Sequence, residues 1–327
     1  MDPPPRPTPN SLGLSLGCLL AMAAYAPAQE PAVDPVPSTP FVWQRDDSQL
    51  TLSTEGHAVW RFHFGNDVNV PFFDPVGPVN GPSITWNAPA DHRWHHALWF
   101  SWKYINGINY WEHQGDSGKP SGSTEWSSVD ISTDSSGAAD ITMELSYRPA
   151  SSDQVALRER RTLHIAAPDA AGDLVIDWSA TFRPVDSDAT LDRSPPQPNS
   201  SGGYAGLSVR FAQQMDDRLL VSEAGPAEFN EGNRFRGRAK SLDYSGTVES
   251  RTVGLALLDH PQNHRFPTRW YAIRNPIIGY LNAAVLHDEP ITLTVGDALT
   301  LRYRIVAHYG RWDASRLQQE ADRFAED

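Results

Sequence analysis

The chain has 327 residues, with 27 Lys and Arg against 40 Asp and Glu, 39% hydrophobic residues and one cysteine. This apolar content suffices for one large domain or two modest ones and excludes disorder throughout. The net charge of −13 argues against nucleic acid or an anionic membrane as a partner, because both are bound mainly through clustered Lys and Arg. The single cysteine excludes a disulfide framework and Cys-based zinc or iron–sulfur sites.

The N-terminal segment predicts export. Ser11–Ala26 is apolar but short for a membrane span, and a small-residue cleavage pattern, Ala26-Pro-Ala28, follows it. We therefore predict that residues 1–28 are a signal peptide, and that the mature protein is periplasmic or extracellular and has no membrane span. A lipoprotein attached at Cys18 is the alternative. Gln29–Pro40 contains four prolines and predicts an extended linker.

From Phe41 onward, short alternating apolar runs are separated by Gly, Pro, Asn and Asp, a pattern typical of strands and turns. The predicted strands are Phe41–Arg45, Ala58–Phe64, Ala97–Tyr104, Ile141–Arg148, Val155–Ile165, Leu174–Phe182, Leu207–Phe211, Val253–Asp259, Thr268–Arg274, Ile278–Val285 and Leu299–Tyr309. Pro149–Gln154 predicts a hairpin loop, and Arg193–Gly203 a long surface loop rather than a domain boundary.

One helix is predicted near the C-terminus, with Asp313 as its N-cap. Its buried face carries Leu317, Ala321 and Phe324, and Glu320 and Asp322 are expected on the exposed side. Many strands, one helix and no propeller or solenoid repeat favour an all-β architecture. We predict a single domain, residues 41–327, built as a large two-sheet antiparallel β-sandwich with a short C-terminal helix.

Aromatic and histidine residues are concentrated between Trp86 and Trp126, which contains six of the 11 Trp and four of the 11 His. Within it, the segment 91–112, DHRWHHALWFSWKYINGINYWE, places Asp91, His92, His95 and His96 in a loop before a strand that carries Trp99 and Trp102. Loops at strand edges commonly hold catalytic groups, and tryptophans on a concave sheet commonly stack against sugar rings. The alternative is that these aromatic rings belong to the core.

A second polar cluster, Asp259–Arg274, follows an apolar strand and contributes His260, Arg269, Trp270 and Arg274. Arg210 alternates with apolar residues on another strand, which places it either in solvent or in a cleft.

The histidines match no zinc ligand spacing, although a copper or zinc ion held by two imidazoles and a remote third ligand stays open. No G-x-S-x-G elbow, phosphate loop or dinucleotide fingerprint is present, so serine hydrolase chemistry is disfavoured and no cofactor is predicted.

Four segments together resemble a bacterial family of unknown function that carries the label "methane oxygenase PmoA". They are the segment 91–112, GGYAGLSVRFA from Gly202, GLALLDHPQNHRFPTRWYAIR from Gly254, and LTVGDALTLRYRIVAHYG from Leu293. The methane monooxygenase subunit spans a membrane several times, so the label does not describe this chain. The last segment also looks like the end of galactose-mutarotase-like sandwiches, a resemblance that implies sugar chemistry with a histidine acid and a carboxylate base.

We therefore expect an exported carbohydrate-active enzyme, of epimerase, lyase or hydrolase type, that acts on a small sugar or an oligosaccharide. His92 or His95 is predicted as general acid and Glu112 or His260 as base. The predicted substrate contacts are Asp91, His96, Trp99, Trp102, Arg210, Arg269, Trp270 and Arg274. The alternatives are a non-catalytic glycan-binding protein and a mononuclear metal enzyme.

Overall fold

The structure is a computed structural model that describes residues 1–4, 40–115, 118–197 and 201–327. The chain divides into two compact units, Met1–Ala32 and Val33–Asp327, and every helix and strand of the described residues lies in the second. The predicted signal peptide, Cys18 and all of the predicted linker except Pro40 fall on residues 1–39, of which only 1–4 are described. Within the described residues, no helix is long and apolar enough to cross a membrane.

Two nine-stranded antiparallel sheets form most of the second unit. Sheet 1 comprises, in spatial order, β1 (Val42–Arg45), β2 (Gln49–Thr54), β3 (His57–His63), β4 (Phe72–Val76), β5 (Leu98–Ser101), β13 (Gly206–Phe211), β20 (Gly279–Ala283), β19 (Trp270–Arg274) and β16 (Arg234–Phe235). Sheet 2 comprises β15 (Gly225–Pro226), β14 (Asp216–Ser222), β17 (Ser241–Val248), β18 (Arg251–Asp259), β22 (Leu299–Tyr309), β11 (Leu174–Pro184), β10 (Leu157–Ile165), β9 (Ala139–Pro149) and β8 (Gly122–Thr133).

A small third sheet contains β21 (Ile291–Leu293), β12 (Ala189–Asp192), β6 (Tyr104–Ile105) and β7 (Ile108–Asn109). The predicted strand Ala97–Tyr104 is wrong as one element, because its start forms β5 in sheet 1 and its end forms β6 in sheet 3. Asn106 and Gly107, both with positive φ, form a two-residue turn between β6 and β7, and this turn begins a separate hairpin.

The main core lies between sheets 1 and 2 and takes side chains from both. Strand β10 shows why: alternate residues from Leu157 to Ile165 are buried and the ones between them are exposed, as expected for a strand with one face on a core. Its buried set includes Glu159 and Arg161, which form an ion pair within the core. The prediction of an all-β, two-sheet antiparallel sandwich with a C-terminal helix is confirmed.

The helix α1 (Ala314–Glu326) begins after Asp313, whose side chain accepts a hydrogen bond from the Arg316 backbone N–H. Leu317, Ala321 and Phe324 form its buried face, as predicted, and they pack on the outer face of sheet 2. Glu320 is buried rather than exposed, because its carboxylate lies along the helix between Arg316 and Arg323, at 2.9 and 2.8 Å.

Candidate functional site

The outer face of sheet 1, which points away from the main core, carries a continuous cluster of aromatic and polar side chains. Residues paired across neighbouring strands point to the same face, so the register defines two rows. One row is Phe72, Trp99, Ser208, Asn282 and Tyr271, and the other is Arg210, Tyr280, Ile273 and Arg234. Most of these rings form a second hydrophobic cluster, separate from the main core.

The loop before β5 brings the predicted histidines onto this face. Its backbone is fixed by hydrogen bonds from the Ala88 N–H to the His95 carbonyl (2.8 Å) and from the His95 N–H to the His92 carbonyl (2.9 Å). Ala97, in the left-handed region with φ of 62°, accepts a hydrogen bond from the Arg210 N–H. These bonds hold the loop against β13.

Asp91, His92 and Arg210 form a chain of contacts. One guanidinium nitrogen of Arg210 lies 2.9 and 2.8 Å from the two carboxylate oxygens of Asp91, and Asp91 Oδ2 lies 2.9 Å from His92 Nδ1. Burial alone raises the pKa of Asp91, but its hydrogen bonds and charge interactions with His92 and Arg210 outweigh this and lower it. Asp91 is therefore ionised at neutral pH and orients the His92 ring.

The His95 ring packs directly against the His92 ring, on its buried side. Its ring stacks on His92, with 4.7 Å between ring centroids, and on Tyr280, at 5.2 Å. Its side chain is buried, and Nδ1 has no hydrogen-bond partner among the described residues. Burial, followed by the charges of His92 and Arg210, holds the pKa of His95 well below its usual value. His95 is therefore neutral, whereas His92 keeps 35% of its side chain exposed.

His92 is flanked by Trp94, whose ring lies 5.3 Å from it and 5.8 Å from His113. On the other side of the loop, His96 stacks on Phe72 (5.0 Å) and contacts the Asn87 amide oxygen through Nδ1. Burial lowers the pKa of His96 to about 4. His96 is therefore a neutral packing residue at the edge of the cluster.

Glu112 lies at the other end of the cluster, and both oxygens of its carboxylate accept hydrogen bonds from protein groups. Oε1 accepts hydrogen bonds from Lys103 and from the Tyr204 hydroxyl (3.1 Å), and Oε2 accepts one from Asn109 (2.7 Å). Burial raises the pKa of Glu112, but Lys103 and the other donors together lower it. The Lys103 side chain is 2% exposed, so Glu112 is the counter-ion of a buried cation.

Tyrosines and arginines connect Glu112 to the far strands of sheet 1. Tyr204 stacks on Tyr271 at 6.0 Å and contacts Trp111 at 5.3 Å. Arg234 Nε donates to the Tyr271 hydroxyl (3.2 Å), and the Arg236 guanidinium lies 4.9 Å from the same ring. Trp111 also contacts His95 (6.4 Å). The histidine end and the Glu112 end therefore belong to one surface.

The structure does not bring His260 to this surface. His260 follows β18 of sheet 2, and its ring packs 5.1 Å from Phe324 of α1. Its Nδ1 accepts a hydrogen bond from the Gln262 N–H. The prediction that His260 is the base partnered with His92 or His95 is corrected, because proton transfer needs hydrogen-bond reach and the two groups lie on different sheets.

Several predicted substrate contacts are packing residues instead. Trp102, between Phe100 and Phe182, and Trp270, which donates to the Ala239 carbonyl, are 0% exposed in the main core. Trp99 is on the correct face but 1% exposed, covered by His95 and Trp111. None of these three rings is accessible to a sugar, so their predicted stacking role is corrected.

The predicted arginines are also engaged in other contacts. Arg269 pairs with Asp288 at 2.6 Å, and Arg274 lies over the Phe229 ring and donates to the Arg218 carbonyl. Arg210 is 0% exposed behind Asp91. Each of the three therefore positions protein groups, and Arg210 alone does so within the site.

Sequence reasoning did not select Tyr204, Tyr271, Tyr280, Arg234 or Arg236. A signal for one of them was present: alternation places Tyr271 on the face opposite Trp270, and Trp270 is in the core. Tyr204 lies within the GGYAGLSVRFA segment. The sequence carried no pattern that pointed to Arg234 or Arg236, because only the pairing of β16 with β19 brings them to Tyr271.

In the described part of the chain, no group of three or more His, Cys, Asp or Glu side chains is arranged to hold a metal ion. His92 and His95 stack face to face, and the Nδ1 atom of His92 is already bonded to Asp91. The histidine cluster therefore does not present the ligand set that the metal hypothesis requires.

This chain is similar to solved structures and to one protein family. Two solved structures are similar: the galactosidase domain of the alpha-galactosidase-sucrose kinase AgaSK (TM-score 0.45, 11% identity, 83% of this chain and 42% of that chain) and the alpha-galactosidase from Lactobacillus brevis (TM-score 0.44, 9% identity, 87% and 41%). The chain thus spans about two fifths of each. No curated protein matches in sequence. A family model matches residues 49–322, and the chain belongs to that family of unknown function, DUF6807.

Proposed function

We propose that this protein is an exported carbohydrate-active enzyme in which His92 transfers a proton to or from a bound sugar. The observation that carries the proposal is the Arg210, Asp91 and His92 chain: a half-exposed imidazole with Nδ1 bonded to an ionised carboxylate at 2.9 Å. With the proton on Nδ1, the lone pair of Nε2 is available to a substrate. Among the described residues, Nε2 has no hydrogen-bond partner.

His92 acts as the general base in this proposal. Nε2 takes a proton from a sugar hydroxyl or from a carbon acidified by a neighbouring carbonyl, and the imidazolium that forms is stabilised by the Asp91 carboxylate. The protonated ring then returns the proton to the product. A positioned imidazole of this kind typically contributes about 10²–10⁴ in rate. Arg210 does not touch the substrate and is a positioning residue for Asp91.

The aromatic surface that includes His92 fits a sugar. Trp94 and Tyr204 are half-buried, so part of each ring is accessible, and the buried rings of Trp99, Trp111 and Tyr280 hold them in place. Aromatic faces with a few fixed polar groups are typical of sites for small polar ligands. Tyr204 is fixed further by its hydrogen bond to Glu112, which we assign a positioning role because all its bonds are to protein groups.

The same occupied carboxylate favours a second candidate. Because Glu112 is bonded to Lys103, Tyr204 and Asn109, we assign no second acid–base group that would act together with His92. A non-catalytic glycan-binding protein needs none. The two candidates differ in what His92 does: an enzyme loses turnover without it, and a binding protein loses at most one hydrogen bond.

The test is a panel of neutral, acidic and keto sugars, followed by NMR for both binding and turnover. The decisive variant is His92→Ala, and the matched control is His164→Ala, which removes an imidazole of a similar carboxylate pair, His164 with Asp140 at 2.8 Å, on sheet 2. We expect His92→Ala to reduce turnover by about 10²–10⁴ with binding retained, and His164→Ala to change neither. Binding without turnover in the parent protein favours the glycan-binding candidate. No binding and no turnover for any sugar rejects both.

A further inference from the structure

A groove of about 440 Å³ opens beside the aromatic surface, at the start of β8. Its lining includes Asn66, Asn69, Ser123, Thr124, Glu125 and Trp126. Its volume lies within the range of about 300–1,000 Å³ that is typical of small-molecule sites. None of the residues described above for the surface around His92 lines this groove.

The groove lies next to the surface around His92. Asn69 lines both the groove and a small void under Trp94 and Trp111. The Asn69 amide lies 3.3 Å from His113 Nε2, His113 contacts Trp94, and Trp94 contacts His92. These contacts place the groove next to Trp94 and His113, so we expect a ligand bound over His92 and Trp94 to reach the groove along Asn69.

The lining chemistry fits a neutral polyol. The Asn66 amide and the Thr124 hydroxyl make no side-chain hydrogen bond within the described residues, so both are open to a ligand. Ser123 donates to Glu125 (3.1 Å), and Glu125 pairs with Arg148. The Trp126 ring is held by its Nε1 hydrogen bond to the Phe64 carbonyl (2.8 Å). Amide, hydroxyl and carboxylate groups beside a fixed indole are the groups that bind sugar hydroxyls and C–H faces.

We propose that this groove is a second sugar subsite and that the substrate is a neutral oligosaccharide rather than a monosaccharide. The inference rests on the proposed function, because it assigns the first sugar unit to the His92 surface and a further unit to the groove. Each added contact region raises affinity only when one ligand occupies both regions. Affinity should therefore depend on chain length.

The experiment is calorimetric titration of the full chain with mono-, di- and trisaccharides of four neutral series: α-1,4-gluco, β-1,4-gluco, xylo and galacto. In one series we expect the trisaccharide to bind at least about tenfold more tightly than the monosaccharide, a gain of about 1.4 kcal/mol. The double variant Asn66→Ala/Thr124→Val is expected to lose that gain. Thr133→Val, at the other end of the same strand and outside the groove, is the matched control and should keep it.

The outcomes separate the two proposals. A monosaccharide that binds with no gain on lengthening overturns the oligosaccharide inference and leaves the His92 proposal standing. A gain that survives in the double variant places the additional unit elsewhere and overturns the groove assignment. If no sugar of any length binds and none is turned over, both proposals fall. Circular dichroism and unfolding curves of each variant show whether a lost gain comes from misfolding.

Discussion

Each of the two large sheets carries a carboxylate–imidazole pair on its outer face, with almost the same separation. His92 and Asp91 are 2.9 Å apart on sheet 1, and His164 and Asp140 are 2.8 Å apart on sheet 2. The surroundings differ: the sheet 1 side chains are 35% and 26% exposed, and the sheet 2 side chains 55% and 67%. Only the sheet 1 pair is backed by a buried arginine and stacked on a buried ring.

The surroundings, rather than the distance between the two side chains, therefore distinguish the two pairs. Two charged groups that are exposed to solvent lose little free energy when they separate, and an exposed pair contributes about 0–1 kcal/mol to stability. A buried partner left alone costs far more, because its charge stays out of water. The Asp91 and Glu112 pairs on the sheet 1 side should therefore respond to substitution much more strongly than the exposed Asp140 and Glu144 pairs of sheet 2.

The largest effect is expected for the pair between Lys103 and Glu112. Glu112→Gln leaves the Lys103 ammonium, which is 2% exposed, without its counter-ion, and we expect a loss of about 2–3 kcal/mol in the free energy of unfolding. Glu144→Gln is the matched control on sheet 2, where Glu144 and Arg160 are 58% and 63% exposed at 2.9 Å, and should cost about 0–0.5 kcal/mol. Guanidinium unfolding at pH 7 measures both. Equal losses would contradict the comparison.

The next effect is expected for the two aspartates. Asp91→Asn weakens the contact to the buried Arg210 guanidinium, whose Nε and Nη1 already have no partner among the described residues. We expect a loss of about 2 kcal/mol, against about 0–0.5 kcal/mol for Asp140→Asn. Urea unfolding of the two variants under identical conditions is the measurement. If Asp140→Asn costs as much as Asp91→Asn, the contrast in burial has no energetic consequence.

A third prediction concerns His95 and the free energy of unfolding at acid pH. The folded protein holds the pKa of His95 well below 6.5, so below pH 6.5 the unfolded chain binds a proton that the folded chain does not. The stabilising contribution is full above pH 6.5 and is lost as the pH falls, by about 1.4 kcal/mol per unit. His95→Phe keeps a stacked ring without this titration, and the loss between pH 7 and pH 5 should shrink by about 1–2 kcal/mol. An unchanged profile from unfolding curves at both pH values would show that folding does not lower the pKa of His95.

The period of two along the strands predicted the sandwich, and burial alternates in β9, β10 and β11 as that pattern requires. It did not predict which strands become neighbours. The contact between Arg210 and Asp91 joins residues 119 positions apart, and no local pattern contains that information. The sequence therefore indicated the histidine loop and Arg210 separately, but not the contact between Asp91 and Arg210.

In the second polar cluster, residues that are close in sequence separate in the fold. Asp259–Arg274 resembles the segment 91–112 in composition, yet its residues diverge: His260 packs on α1, Trp270 enters the core, and Tyr271 joins the aromatic surface. Adjacent strand residues point to opposite faces, so Trp270 and Tyr271 separate although they are neighbours in sequence. The residues of the segment 91–96 stay together because they lie in one loop.

The smallest effect is expected at Asp259, which turns out to be structural. Its carboxyl group accepts hydrogen bonds from the Thr268 N–H and the Asn263 amide, both at 2.7 Å, and so closes the loop between β18 and β19. Burial raises its pKa to about 7, so between its ordinary pKa and about 7 the folded chain binds the proton and the unfolded chain does not. This contribution favours folding at low pH and is lost as the pH rises, opposite in sign to that of His95.

Asp259→Asn removes the titration and keeps one acceptor oxygen. The variant should be less stable than the parent at pH 6, because one hydrogen bond to the loop is lost, and the deficit should narrow by about 1 kcal/mol between pH 6 and pH 8 as the parent alone pays for ionising a buried carboxyl. Unfolding curves at the two pH values measure the change. A deficit that is constant or widens with pH would mean that Asp259 is already ionised at pH 6, and that its two donors outweigh its burial.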